Sequence, residues 1–71
     1  YKTFLQEVMQ KNPEEEIKYE VIEERGPAHN RDFVVEVSIN TNVIGRGTAK
    51  TKKEAEQLAA REALKLMGYD A

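Results

Sequence analysis

Three lysines around the start of a helix are the residues of this chain best placed to do chemistry. Lys50, Lys52 and Lys53 bracket Thr51, a good N-cap residue, and Glu54 follows it at the spacing of a capping box. Ammonium groups in a first helical turn oppose the positive end of the helix dipole, so local stability does not account for them. An anion outside the protein does. Free backbone N–H groups, the dipole and the lysines would then converge on one phosphate-rich object. The implied chemistry is electrostatic binding, with no bond made or broken.

Other chemistries find little support. The chain has no cysteine and one histidine, which excludes disulfides, thiolate zinc sites and multi-histidine metal centres. Glu14-Glu15-Glu16 reads as a solvated turn, because nothing nearby supplies a further ligand or a base. No nucleophile–base pair or converging set of carboxylates is visible. Thr3, Gln6, Glu7 and Gln10 recur at helical spacing on one polar stripe. That stripe is either a plain solvated face or the hydrogen-bonding edge of a surface that contacts sugar hydroxyls. His29, in the loop opened by Gly26-Pro27, is either an ordinary loop histidine or a contact residue. A neutral imidazole can donate to a hydroxyl, so contact does not require its charge.

Charge is unevenly placed. The total is −2, and residues 1–25 carry four basic and seven acidic side chains. Residues 45–53 carry Arg46, Lys50, Lys52 and Lys53 and no acid. A focused basic patch on an acidic chain is expected to grip a polyanion less tightly than a uniformly basic domain.

The elements that must position these residues are legible from periodicity. Tyr1, Leu5, Val8 and Met9, with Phe4 beside them, form the apolar stripe of a helix over 1–11, ended by Asn12-Pro13. Ile17, Tyr19 and Val21 alternate with polar residues in a strand over 17–25. Phe33, Val35, Val37 and Ile39 alternate in a second strand, with Tyr19 and Phe33 in the buried set. Thr41-Asn42 is expected to form the hairpin turn, Asn42 taking positive φ. A third strand, from about Val43 to Ala49, presents a nearly bare face through Gly45, Gly47 and Ala49. A helix over about 52–67 brings an alanine-rich stripe, Ala55, Ala59, Ala60, Ala63, Leu64 and Met67, against that bare face, and Gly68 stops it. Leu58 falls at the edge of the stripe with no evident task.

The expected fold is α+β, an α-β-β-β-α two-layer sandwich whose three-stranded antiparallel sheet carries both helices on one face and solvent on the other. Seventy-one residues make one domain, 39% hydrophobic and 34% charged, near the lower size limit for a self-sufficient core. No apolar run approaches membrane-spanning length and no signal-peptide pattern opens the chain. It begins at Tyr1 and not at methionine, as expected of a piece of a longer protein.

These residues stand in the order and spacing of a known family. Thr3…Leu5-Gln6-Glu7, Gly26-Pro27-Ala28-His29, Phe33 and the block Gly45-x-Gly47…Thr51-Lys52-Lys53-x-Ala55…Ala59-Ala60…Ala63-Leu64 resemble the double-stranded RNA-binding domain over all of residues 1–71. More narrowly, Tyr1-Lys2-Thr3-x-Leu5-Gln6-Glu7 and Lys52-Lys53-Glu54-Ala55-Glu56-Gln57 are similar to the carboxy-terminal domain of bacterial ribonuclease III. The resemblance implies that Thr3, Gln6 and Glu7 enter one minor groove of an A-form duplex. Pro27, Ala28 and His29 would enter the next, and Lys50, Lys52 and Lys53 would meet the phosphates of the major groove between them. Many members carry a basic residue where this chain has Glu56, which lowers the affinity expected here. Arg31 and Arg46 add charge without a role fixed by the family pattern.

The resemblance further implies a binding domain without catalytic residues or a cofactor of its own. The short carboxylate-rich cleavage signature of ribonuclease III is absent. The longer protein is expected to be a cytoplasmic endoribonuclease, dependent on a divalent metal such as magnesium and homodimeric through a catalytic domain outside these residues. Double-stranded RNA is the expected partner, with no membrane and no small-molecule ligand. The alternative is a protein–protein interaction module of the same fold with weak or no RNA binding, which the acidic total charge favours and the lysine cluster opposes.

Overall fold

The structure, a computed structural model, describes residues 1–11 and 14–69. Five elements follow in chain order: α1 (Lys2–Met9), β1 (Ile17–Arg25), β2 (Asp32–Ile39), β3 (Asn42–Ala49) and α2 (Lys52–Leu66). The strands form one antiparallel sheet in the order β1-β2-β3. Both helices contribute buried residues to a single core with β2, so the expected two-layer arrangement is the one observed. The expected helix end at Asn12-Pro13 lies outside the described residues.

Pairing register explains which strand residues face the helices. Tyr19, Val37 and Gly45 form one cross-strand row, and Val21, Val35 and Gly47 form the next. Val35 and Val37 are fully buried, while Tyr19, Val21 and Phe33 pack on the core as partly buried residues. Alpha-helix α2 lies directly on the two glycines. A Cβ at Gly45 would stand 2.2 Å from the Ala59 carbonyl oxygen, and one at Gly47 2.3 Å from that of Ala55. No side chain fits in that space. Ala55, Ala59, Ala60 and Ala63 are all fully buried, because only methyl groups fit between helix and sheet at this separation.

Two bulges change the alternation. One falls between Val21 and Glu23 and leaves Ile22 exposed. The other, between Val37 and Ser38, inserts Ile44 into β3 and lets it pack on the core beside Gly45. The sheet face away from the helices is also less uniformly wet than expected. Val34, flanked in register by Glu23 and Thr48, is only 2% exposed although it lies outside the main core.

The hairpin turn sits one residue earlier than expected. Ile39 pairs with Asn42, so the loop is Asn40-Thr41, and Asn40 takes the positive φ of 58°. Asn42 belongs to β3. The register has a physical reason: Asn40 clasps the chain that enters β1. Its N–H donates to the Glu16 carbonyl at 2.9 Å and its Oδ1 accepts from the Glu16 N–H at 3.2 Å.

Helix α2 is closed at both ends. Thr51 Oγ1 accepts from the Glu54 N–H at 3.1 Å, half of the expected capping box. At the other end Gly68 takes φ +90°, its N–H reaches the Lys65 carbonyl, and the Tyr69 N–H reaches that of Leu64. This is a Schellman closure. It turns Tyr69 back so that its ring meets Phe4 of α1 edge to face, with centroids 5.8 Å apart. Helix α1 buries Leu5, Val8 and Met9, while Tyr1, expected in the apolar stripe, is largely exposed beneath the Arg61 guanidinium.

Candidate nucleic-acid interface

The residues singled out for contact occupy three exposed regions. Thr3, Gln6 and Glu7 are exposed on α1, and Pro27, Ala28 and His29 are exposed in the β1–β2 loop. Lys50, Lys52 and Lys53 are exposed around the start of α2. Side-chain contacts connect the regions through the beginning of α2, which is the hub of the arrangement.

The loop is shaped by its own backbone. Gly26 takes φ +89°, and a Cβ there would lie 2.7 Å from the Asn30 carbonyl oxygen, so the tight entry requires glycine. The Asn30 N–H closes back on the Pro27 carbonyl at 2.9 Å. That turn holds Ala28 and His29 at its tip. Lys50 then braces the turn from the end of β3. Its Nζ donates to Asn30 Oδ1 at 2.9 Å and lies 2.8 Å from Asp32 Oδ1. A shallow hollow lined by Ala28, His29, Asn30, Arg31, Phe33 and Lys50 results.

The basic cluster read from residues 45–53 is therefore divided by the fold. Arg46 lies on the sheet face away from α2 and pairs with Glu36 at 2.5 Å. Arg31 pairs with Glu24 at 2.8 Å, and Lys50 is engaged as described. Among the described residues, Lys52 and Lys53 have no carboxylate within ion-pairing distance. The Lys52 ammonium stands 5.6 Å from the centre of the Phe33 ring, which holds it near the base of the loop without neutralising it. Sequence periodicity places residues on faces, but it does not reveal which cations have partners. Only the tertiary register does.

Glu56, the residue that departs from the basic pattern, is not an unopposed charge. Its Oε1 lies 2.6 Å from Lys2 Nζ, and the same ammonium stands 5.0 Å from the centre of the Tyr19 ring. Neighbouring Gln57 accepts through Oε1 from the backbone nitrogens of Tyr1 and Lys2, at 2.9 and 3.0 Å. Helix α1 has no side-chain cap of its own, so α2 supplies one. Neither contact was visible from spacing within one helix, since the partners are more than fifty residues apart in sequence. Burial, and secondarily the Glu56 carboxylate, push the Tyr19 hydroxyl up to about 12. At physiological pH Tyr19 is thus a neutral wall of this joint.

The arrangement can hold an extended anion across α2 while exposed hydrogen-bonding groups reach it from either side. No helix of the described residues is long and apolar enough to cross a membrane.

Comparison with known proteins agrees with this reading. The family model described as "Double-stranded RNA binding motif" matches residues 1–67. Ribonuclease 3 of Bacillus cereus (strain AH187) is 52% identical over 65 residues, covering 92% of this chain and 26% of that protein. Ribonuclease 3 of Bacillus anthracis (strain A0248) matches to the same extent. The chain thus spans about a quarter of the length of the curated relatives it matches. Among solved structures, the second double-stranded RNA-binding domain of DRB4 superposes with a TM-score of 0.68 at 36% identity, covering 96% of this chain and 94% of that one. With the motif matched along nearly its whole length on the fold that the motif requires, the chain belongs to the double-stranded RNA-binding motif family.

Proposed function

We propose that this chain binds A-form double-stranded RNA with little regard to sequence, as the substrate-binding part of a ribonuclease III-type nuclease. The observation that carries the reading is the pair Lys52 and Lys53, left without carboxylate partners among the described residues at a capped helix N-terminus, while the nearby Arg31, Arg46 and Lys50 are paired. Phosphates of the major groove meet these lysines, with Lys50 beside them holding the loop. Thr3, Gln6 and Glu7 enter one flanking minor groove, and the Pro27 backbone, Ala28 and His29 enter the other. Hydroxyl, amide, carboxylate and imidazole groups suit 2′-hydroxyls and base edges, where net positive charge is not needed.

The relatives' printed name and the chain's share of their length support placing cleavage elsewhere. In this reading the cutting residues, any divalent metal they use and the contacts that make a homodimer lie outside these 71 residues, in a cytoplasmic enzyme. The present chain contributes binding and orientation.

Titration of the isotope-labelled chain with a short RNA duplex, followed by amide NMR shifts, tests the interface. Shifts are expected in residues 3–7, 26–30 and 50–53. Shifts centred instead on Lys18, Glu36 and Arg46, on the opposite sheet face, would overturn it.

A further inference from the structure

We infer that Glu56 and Gln57 form a clamp that fixes α1 against the lysine-bearing start of α2, making Glu56 a positioning residue for duplex RNA and not a local repulsion of it. The inference rests on the interface proposed above and deepens it. The N-terminal end of α1 is held by two consecutive residues of α2: Lys2 by the Glu56 carboxylate at 2.6 Å, and the backbone of Lys2 and of the preceding Tyr1 by the Gln57 amide oxygen. The Tyr19 ring closes the third side, so α1, α2 and β1 meet at one ammonium group. With side chains 39% and 27% exposed, the Lys2–Glu56 pair is less screened than a fully solvated one.

Geometry links this clamp to the proposed contacts on both sides. Glu56 and Gln57 stand four residues after Lys52 and Lys53, one helical turn along the same face. Thr3 follows the clamped Lys2 directly, and Gln6 and Glu7 lie one turn further along α1. The apolar contacts of Leu5, Val8 and Met9 decide which face of α1 turns inward. The clamp pins its N-terminal end. The distance between the minor-groove residues of α1 and the phosphate-binding lysines is therefore fixed at Glu56. A lysine at position 56 would add a cation facing the major groove, but it would also set two ammonium groups against each other at the clamp.

Charge reversal and its repair test this. Duplex RNA affinity and its salt dependence are to be measured for the parent, Glu56→Lys, Lys2→Glu and the double variant, with amide exchange of α1 followed in each. Glu56→Lys is expected to weaken binding by about three- to ten-fold and to speed exchange in α1 while β2 stays protected. The double variant, which restores the ion pair in reverse, is expected to recover most of both. Glu56→Gln, which retains a hydrogen-bond acceptor without repulsion, should fall between parent and Glu56→Lys. Tighter binding by Glu56→Lys with a steeper salt slope would show that Glu56 only repels RNA, and would overturn the inference. So would failure of the double variant to recover binding while α1 exchange returns to parent values. Absence of RNA binding by the parent would instead refute the proposed function, and the exchange data would still report on the clamp.

Discussion

At the scale of single residues, the fold sorts cations that look alike in sequence. Arg46, Lys50, Lys52 and Lys53 fall within eight positions, yet among the described residues Arg46 and Lys50 have carboxylate partners and Lys52 and Lys53 do not. Lys52→Ala and Lys53→Ala are each expected to lower the slope of log K against log salt by about one, uniformly across RNA sequences. Lys50→Ala is expected to change the slope less and to loosen the His29 turn, seen as faster exchange of the Asn30 amide, because its ammonium already serves Asn30 and Asp32. Salt titrations of the three variants check this ordering. Tyr19 supplies a pH dependence. Its hydroxyl titrates at about 12 when folded, against an ordinary value near 10 when unfolded. A raised folded value means that the stabilisation is complete below about pH 10 and is lost as pH rises towards 12. Alkaline melts of Tyr19→Phe should therefore decline less over that window than those of the parent. That the candidate contact residues are exposed was legible from residue type and spacing. The partners of Lys2, Glu56 and Lys50 were not, because each comes from a different element.

At the scale of elements, two kinds of glycine are separable by substitution. Gly47→Ala drives a methyl group into the α2 backbone, 2.3 Å from one oxygen and 2.5 Å from the Ala59 nitrogen, so helix or strand must move. A loss of about 1–3 kcal/mol or more is expected in denaturant unfolding. Gly68 has φ +90° and open space around it, so Gly68→Ala meets a torsional penalty alone, about 1 kcal/mol. Equal losses at the two sites would contradict the close approach of α2 to β3. Alternation and the alanine stripe were enough to order the elements and pair their faces. The bulges were not legible, because an extra residue in a strand leaves no mark on composition, and they are what carry Ile44 inward and Ile22 outward. The Asn40-Thr41 turn was displaced for a similar reason. Asn40 and Asn42 are equally suited to positive φ, and the bonds from Asn40 to Glu16, across the sheet end, decide between them.

At the scale of the whole molecule, an acidic protein keeps two adjacent lysines without carboxylate partners, among the described residues, while its arginines in and beside the sheet are paired. Arg25 with Glu23, Arg31 with Glu24 and Arg46 with Glu36 tie charges of both signs together within the sheet and at the end of its loop. The acid excess of residues 1–25 lies in β1 and in the segment between α1 and β1, and the start of α2 keeps its lysines. Net charge alone pointed towards a protein partner; its distribution in the fold favours a polyanion. The central claim is that the α1 face, the His29 loop and the α2 lysines together match the groove spacing and 2′-hydroxyls of A-form RNA. The most direct measurement is a fluorescence titration of this chain with RNA and DNA duplexes of the same sequence and length, about 16 base pairs or longer, at one salt concentration. Saturable binding of the RNA duplex at concentrations where the DNA duplex is not bound is the predicted result. Equal affinity for both would show that the lysines act alone, and would contradict the account.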